Sequence, residues 1–196
     1  MTRFAKPLAL WAFVLALLAG PAAAAPPPDL DAYVQRALET FGTPGAAVTI
    51  VEGDQVTARG YGLRKVGEAA RVDADTQFPI GSNTKAMTAT ALAILADEGR
   101  LAWEDPVMDR LKGFRMADPY VSRHMTVRDL LVHRSGLGLG QGDLLFWPGT
   151  NFTRAELVER IGRLPLRNGF RSGYAYDNVL YIVAGEVAAA VSGRTW

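Results

Sequence analysis

Residues 79–89, "PIGSNTKAMTA", hold Ser82 and Lys85 three positions apart where a helix is expected to begin. Residues at i and i+3 of a helix share a face, so the hydroxyl and the amine can meet. A serine is a poor nucleophile until a neighbouring base takes its proton, and a lysine in an apolar surrounding can serve as that base. Arginine cannot, because it stays protonated. The choice stands out in a chain whose 21 basic residues include only four lysines: Lys6, Lys65, Lys85 and Lys112. A cation in the first turn of a helix also faces the positive end of the macrodipole, so Lys85 is there against a mild penalty. The amides at that helix N-terminus could help to stabilise an oxyanion. Against this stands a plainer reading, with Ser82 as an N-cap and Lys85 as a surface residue.

A second polar pair lies in "SGYAYDNVL", where Tyr176 and Asn178 open an apolar helix at Y-x-N spacing. A phenol can relay a proton, and an amide can orient both a lysine and a substrate carbonyl. Tyr174 is a rival two residues earlier, without an asparagine at the same offset. Taken alone, Tyr176 could equally be core and Asn178 a helix cap.

These groups need elements to hold them. "LDAYVQRALETFG" has the apolar spacing of a helix closed by Gly42. "GAAVTIV" and "QVTARGYGL" read as an antiparallel hairpin around "EGD", and "DTQFPI" as a further extended piece. The helix from Ser82 to about Glu98 carries no charge between Lys85 and Asp97, so it is expected to be buried on nearly all faces. Thr126 with Asp129 could cap "VRDLLVH", and Thr153 with Glu156 forms a capping box for "RAELVERIGRL". The last helix runs from near Asp177 to Gly193. A long glycine-rich loop, "RSGLGLGQGDLLFWPGTN", precedes the capping-box helix; loops of that length are often functional. In it Phe146 and Trp147 could form an apolar cleft wall or pack as core. The order of elements predicts an α+β fold, an antiparallel sheet flanked by helices beside a helical region.

Composition narrows the function classes. The chain has 196 residues, 49% hydrophobic and 21% charged, with a formal net charge of +1. That is an ordinary globular composition, with no sign of a nucleic-acid partner. The absence of cysteine excludes disulfides, thiolate metal sites and a cysteine nucleophile. The two histidines, His124 and His133, show no metal-ligand spacing, and neither a Walker motif nor a complete G-x-G-x-x-G is present, so no metal or cofactor is expected. A Ser-His-Asp hydrolase lacks its G-x-S-x-G elbow here.

At the N-terminus Arg3 and Lys6 precede "LALWAFVLALLAG" and then small residues at A-x-A spacing. This is the pattern of a secretory signal peptide over residues 1–24, with an uncleaved anchor as the alternative. Cleavage would remove two cations, leaving 19 basic against 20 acidic residues, a net of −1. The expected product is periplasmic or secreted, with no stable membrane anchor.

S-N-T-K opening a helix, then "LLVHRSGL", then "YAYDN", resembles the serine β-lactamase and penicillin-binding-protein superfamily, in particular its class C-like branch of β-lactamases, D-alanyl-D-alanine carboxypeptidases and esterases. The resemblance runs from about Asp29 to Trp196. It implies that Ser82 is the acylated nucleophile, Lys85 its partner in proton transfer, Tyr176 the general base and Asn178 a substrate-positioning residue. The substrate class implied is a small-molecule or peptide acyl compound: a β-lactam, a D-Ala-D-Ala peptide or an ester. A penicillin-binding sensor without turnover is the alternative on the same fold. By the same resemblance "EDPVMDRL" and "HRSGL" are structural, with His133 a hydrogen-bonded loop residue, and Asp177 has no assigned role. The family's third motif, Lys or His before Ser/Thr and Gly, has no match at the expected place. "KVG" comes too early and "RSG" at 134–136 and 171–173 begins with arginine. The chain is therefore expected to be an N-terminal fragment whose C-terminal strands are missing, inactive alone.

Overall fold

A computed structural model describes residues 26–196; the predicted signal peptide lies outside the described residues. The chain divides at Pro79–Ile80 into two compact units. Among the described residues no helix is long and apolar enough to cross a membrane.

The first unit is a helix and a hairpin. Helix α1 (Leu30–Phe41) buries Val34 and Leu38, one turn apart on one face, and ends at Gly42, whose φ of 60° is the left-handed conformation that glycine adopts without a Cβ penalty. Strands β1 (Gly45–Glu52) and β2 (Gln55–Gly62) pair antiparallel from Gly45↔Gly62 to Glu52↔Gln55, so Gly53 and Asp54 form a two-residue turn. Asp31 of α1 accepts hydrogen bonds from Arg59 and Tyr61 of β2, both at 2.7 Å, which tie the helix to the hairpin. At Gly62 a Cβ would lie 2.2 Å from the Pro44 carbonyl oxygen, so no larger residue fits there. The expected extended piece at 75–80 carries no strand pairing; only an isolated Leu63↔Arg71 bridge comes after β2 in this unit.

The second unit is helical. Its main elements are α2 (Thr84–Asp97), α3 (Val107–Arg110), α4 (Pro119–His124), α5 (Arg154–Ile161) and α6 (Val179–Ser192). Helix α6 is the hub: Val179, Leu180, Val183, Ala184 and Val187 are fully buried, against Leu92 and Leu95 of α2 and Val158 and Ile161 of α5. Helix α5 starts on the predicted capping box, with Thr153 and Glu156 exchanging side-chain and backbone bonds. Thr126 and Asp129 make similar bonds, but they open a single 3-10 turn, Arg128–Leu130, rather than an α-helix. The local cap is legible in the sequence, but whether a helix continues beyond it is not.

Helix α2 corrects one expectation. Despite its charge-free run it buries only Thr88, Leu92 and Leu95, while Met87 and Ile94 remain 57% and 53% exposed. A helix buries the face a neighbour covers, and within this unit α6 covers one face of α2. Apolarity on all sides is a capacity for burial and requires partners to realise it.

Candidate active site

The 3-10 turn Gly81–Asn83 leads directly into α2, so Ser82 stands just ahead of the helix and Lys85 in its first turn. Lys85 Nζ donates to Ser82 Oγ at 3.2 Å. From the far end of the unit, Asn178 caps the start of α6 and its Oδ1 accepts from Lys85 Nζ at 2.5 Å. The Tyr176 hydroxyl donates to Ser82 Oγ at 2.7 Å. Four residues, the outermost being Ser82 and Asn178, thus meet in one polar cluster, as the two motifs require. Tyr174, the rival phenol, is 70% exposed.

Position is enforced by the segments around Tyr176. The Ala175 amide donates to the His133 carbonyl at 2.9 Å, and the Gly140 amide to the Tyr176 carbonyl at 2.8 Å. Upstream, Arg171 holds Asp129 through two hydrogen bonds of 3.0 and 2.6 Å, fixing the loop that approaches the site. Lys85 differs from the apolar surrounding expected for it. It is half-buried on a polar wall, its Nζ 4.7 Å and 5.2 Å from the ring centres of Tyr176 and Tyr181, whose faces suit a cation. The hydrogen bonds from Lys85 and Ser82 hold the Tyr176 phenol below its usual range, because both stabilise the phenolate.

Behind Tyr176 lies a second, buried cluster. Asp177 is fully buried; its carboxylate accepts from the Leu180 amide at 3.3 Å and from Ser135 Oγ at 3.4 Å. Burial pushes its carboxyl up to about 6. The Asp177 amide donates to His133 Nδ1 at 3.2 Å, and the imidazole lies 4.4 Å from the Tyr176 ring, centre to centre. Burial, and then the charge of Lys85, lower the His133 pKa. His133 is accordingly a hydrogen-bonded loop residue as expected, and Asp177 gains a structural place.

The cleft in front of Ser82 has a volume of about 470 Å3 and is lined also by Lys85, Asp143, Phe146, Trp147 and Asn178. Both open placements are realised: Phe146 and Trp147 line the cleft, and Phe146 also packs against the hydrophobic core. Sequence reasoning alone misses Asp143. Its two carboxylate oxygens accept from Asn178 Nδ2 at 3.1 and 2.9 Å. The available signal is that Asp143 is the sole charged residue of the stretch 136–151. Among the described residues no three His, Asp or Glu side chains gather as a metal-binding set.

The family model for beta-lactamases matches residues 30–196. The chain belongs to the beta-lactamase family. Its mixed α+β architecture and the superfamily inferred from the motifs are thereby borne out. It is similar to the unguisins hydrolase ungD of Aspergillus violaceofuscus, 28% identical over 174 residues, covering 85% of this chain and 30% of that protein. Among solved structures it is similar to a D-stereospecific amidohydrolase from a Streptomyces species, at 30% identity and a TM-score of 0.65, covering 84% of this chain and 50% of that one. It is also similar to the octameric penicillin-binding protein homologue from Pyrococcus abyssi, at 26% identity and a TM-score of 0.67, covering 85% and 39%. This beta-lactamase-family chain thus spans under a third of that curated relative and at most half of the two structures. The family and these neighbours are hydrolases or penicillin-binding proteins of one fold, and the cluster around Ser82 lies within the matched region.

Proposed function

We propose that this beta-lactamase-family protein is an exported serine hydrolase of the class C-like branch that forms an acyl-enzyme on Ser82. The observation that carries the reading is the convergence on Ser82 Oγ of the Lys85 amine at 3.2 Å and the Tyr176 hydroxyl at 2.7 Å. As phenolate, Tyr176 accepts the Ser82 proton while Oγ bonds to the acyl carbon; the same proton then passes to the leaving amine or alkoxide as the old bond breaks. Water, deprotonated by Tyr176 in turn, attacks the acyl carbon, and Tyr176 returns that proton to Ser82 Oγ as the acyl–Oγ bond breaks. Lys85 holds Ser82 Oγ as a donor, and Asn178, at the cleft wall, orients Lys85 and the substrate carbonyl. The Phe146 and Trp147 wall suits an acyl group with an apolar side chain. Amide, β-lactam and ester substrates all fit this chemistry. Arg3, Lys6 and the apolar run after them support export.

The test uses the product of the complete open reading frame containing this sequence. Incubation with a fluorophosphonate is expected to add one adduct, mapped to Ser82 by mass spectrometry and absent from Ser82→Ala. With a β-lactam, rapid loss of the adduct marks a hydrolase and a persistent one marks a penicillin-binding sensor. A folded protein that takes no adduct, or a Ser82→Ala variant that still does, overturns the assignment.

A further inference from the structure

We infer that Asp143 is a positioning residue for Lys85, acting through the amide of Asn178; the inference rests on the serine hydrolase reading. A carboxylate only accepts hydrogen bonds and an ammonium only donates them. Asn178 stands between one of each, with Nδ2 3.1 and 2.9 Å from the Asp143 oxygens and Oδ1 2.5 Å from Lys85 Nζ. Only one orientation of the amide satisfies both neighbours. Turned over, it would set its NH2 against the lysine ammonium and its carbonyl against the carboxylate. Asp143 therefore holds Asn178 Oδ1 on Lys85, and Lys85 in turn on Ser82.

The loop is built to keep that carboxylate still. Asp143 begins the 3-10 turn Asp143–Leu145, its amide bonded to the Gly140 carbonyl at 3.1 Å. Gly140 is tied to Tyr176, two residues before Asn178, through its amide. At Gly142, whose φ is 92°, a Cβ would come within 2.8 Å of Leu164 and 2.9 Å of Val179, the first residue of α6. The loop backbone thus presses on the start of the helix that Asn178 caps. A carboxylate in this place carries more than a neutral amide would. An asparagine at 143 offers both donor and acceptor, and would tolerate either orientation of Asn178.

The deciding experiment is a double-mutant cycle on Ser82 labelling by a fluorophosphonate, in the full open-reading-frame product, with melting temperature recorded for every variant. Asp143→Asn and Asn178→Ala are each expected to slow labelling about 10- to 100-fold, as for loss of a hydrogen bond to a charged group. The double variant is expected to be no slower than Asn178→Ala within about threefold, since Asp143 has nothing left to act through. Asp143→Glu keeps an acceptor-only group and is expected to recover most of the rate, which also decides the matter if Asp143→Asn melts early. Effects that multiply in the double variant, an Asp143→Asn that labels at the parent rate, or an Asp143→Glu no better than Asp143→Asn would each overturn the proposal. A parent labelled on Ser82 with a failed cycle removes this role alone; a folded parent left unlabelled removes the hydrolase reading and this role with it.

Discussion

Two polar clusters flank Tyr176, and they are built on opposite terms. In front, Ser82, Lys85, Asn178 and Asp143 line an open cleft, joined in a chain of hydrogen bonds from carboxylate to amide to ammonium to hydroxyl. Behind, Asp177, Ser135 and His133 are shut away from water, and Asp177 is fully buried. Charge in the front cluster is balanced by partners and solvent. In the rear burial disfavours it, with the Asp177 carboxyl pushed up to about 6. Removing a front residue should therefore cost rate, and removing a rear residue should cost stability. Tyr176, Asp177 and Asn178, adjacent in sequence, divide between the two: Tyr176 and Asn178 reach Ser82 and Lys85 in front, and Asp177 is buried with Ser135 and His133 behind.

The largest expected effect lies in front: Ser82→Ala should abolish labelling, a loss of about a thousandfold or more, with little change in melting temperature. A melting temperature that collapses with it would break the distinction. At the rear, Asp177 gives a pH signature. Its folded carboxyl binds protons up to about 6 while the unfolded one releases them near 3.8, so the contribution of Asp177 to stability should fall as pH rises between those values. The full difference is about 3 kcal/mol, and Asp177→Asn should remove that slope from urea melts taken from pH 4 to pH 7. An unchanged slope would show that Asp177 binds its proton equally in the folded and unfolded chain, so that burial does not raise its carboxyl.

Tyr176 borders both clusters and sharpens the comparison. Tyr176→Phe should slow labelling about a hundredfold, the size of a lost general base, while the ring keeps its contact with His133. A rate within a few fold of the parent would assign the base role elsewhere, with Lys85 the remaining candidate at 3.2 Å from Ser82 Oγ. His133 should show the smallest effect. Its φ of 58° is one that asparagine tolerates, so His133→Asn should cost about 1 kcal/mol of stability and only a few fold in labelling. A hundredfold loss of rate there would make the rear cluster part of the catalytic machinery.

Much of the cleft was legible from sequence because its chemistry is local. Ser82 and Lys85 meet through helix spacing, Tyr176 and Asn178 sit at a helix start, and the Thr153–Glu156 box announces α5. Asp143 was not legible as a site residue. Its partner lies 35 positions away and no periodicity links a loop carboxylate to a helix cap. Nor could the charge-free run of α2 say which of its faces would be covered, since Met87 and Leu92 are equally apolar and only one of them is buried.

By itself the sequence determined which groups could react and where the two helices beside them, α2 and α6, begin. Capping, helical spacing and turn chemistry act over a few residues, and those few residues are present in the string. Tertiary structure alone decided that two motifs far apart in the chain share one serine, that Asp143 joins them, and that Asp177 is buried while Asn178 faces the cleft. Those outcomes depend on which surfaces α2 and α6 present to each other when they pack, and burial and long-range hydrogen bonds exist only once that packing has been made.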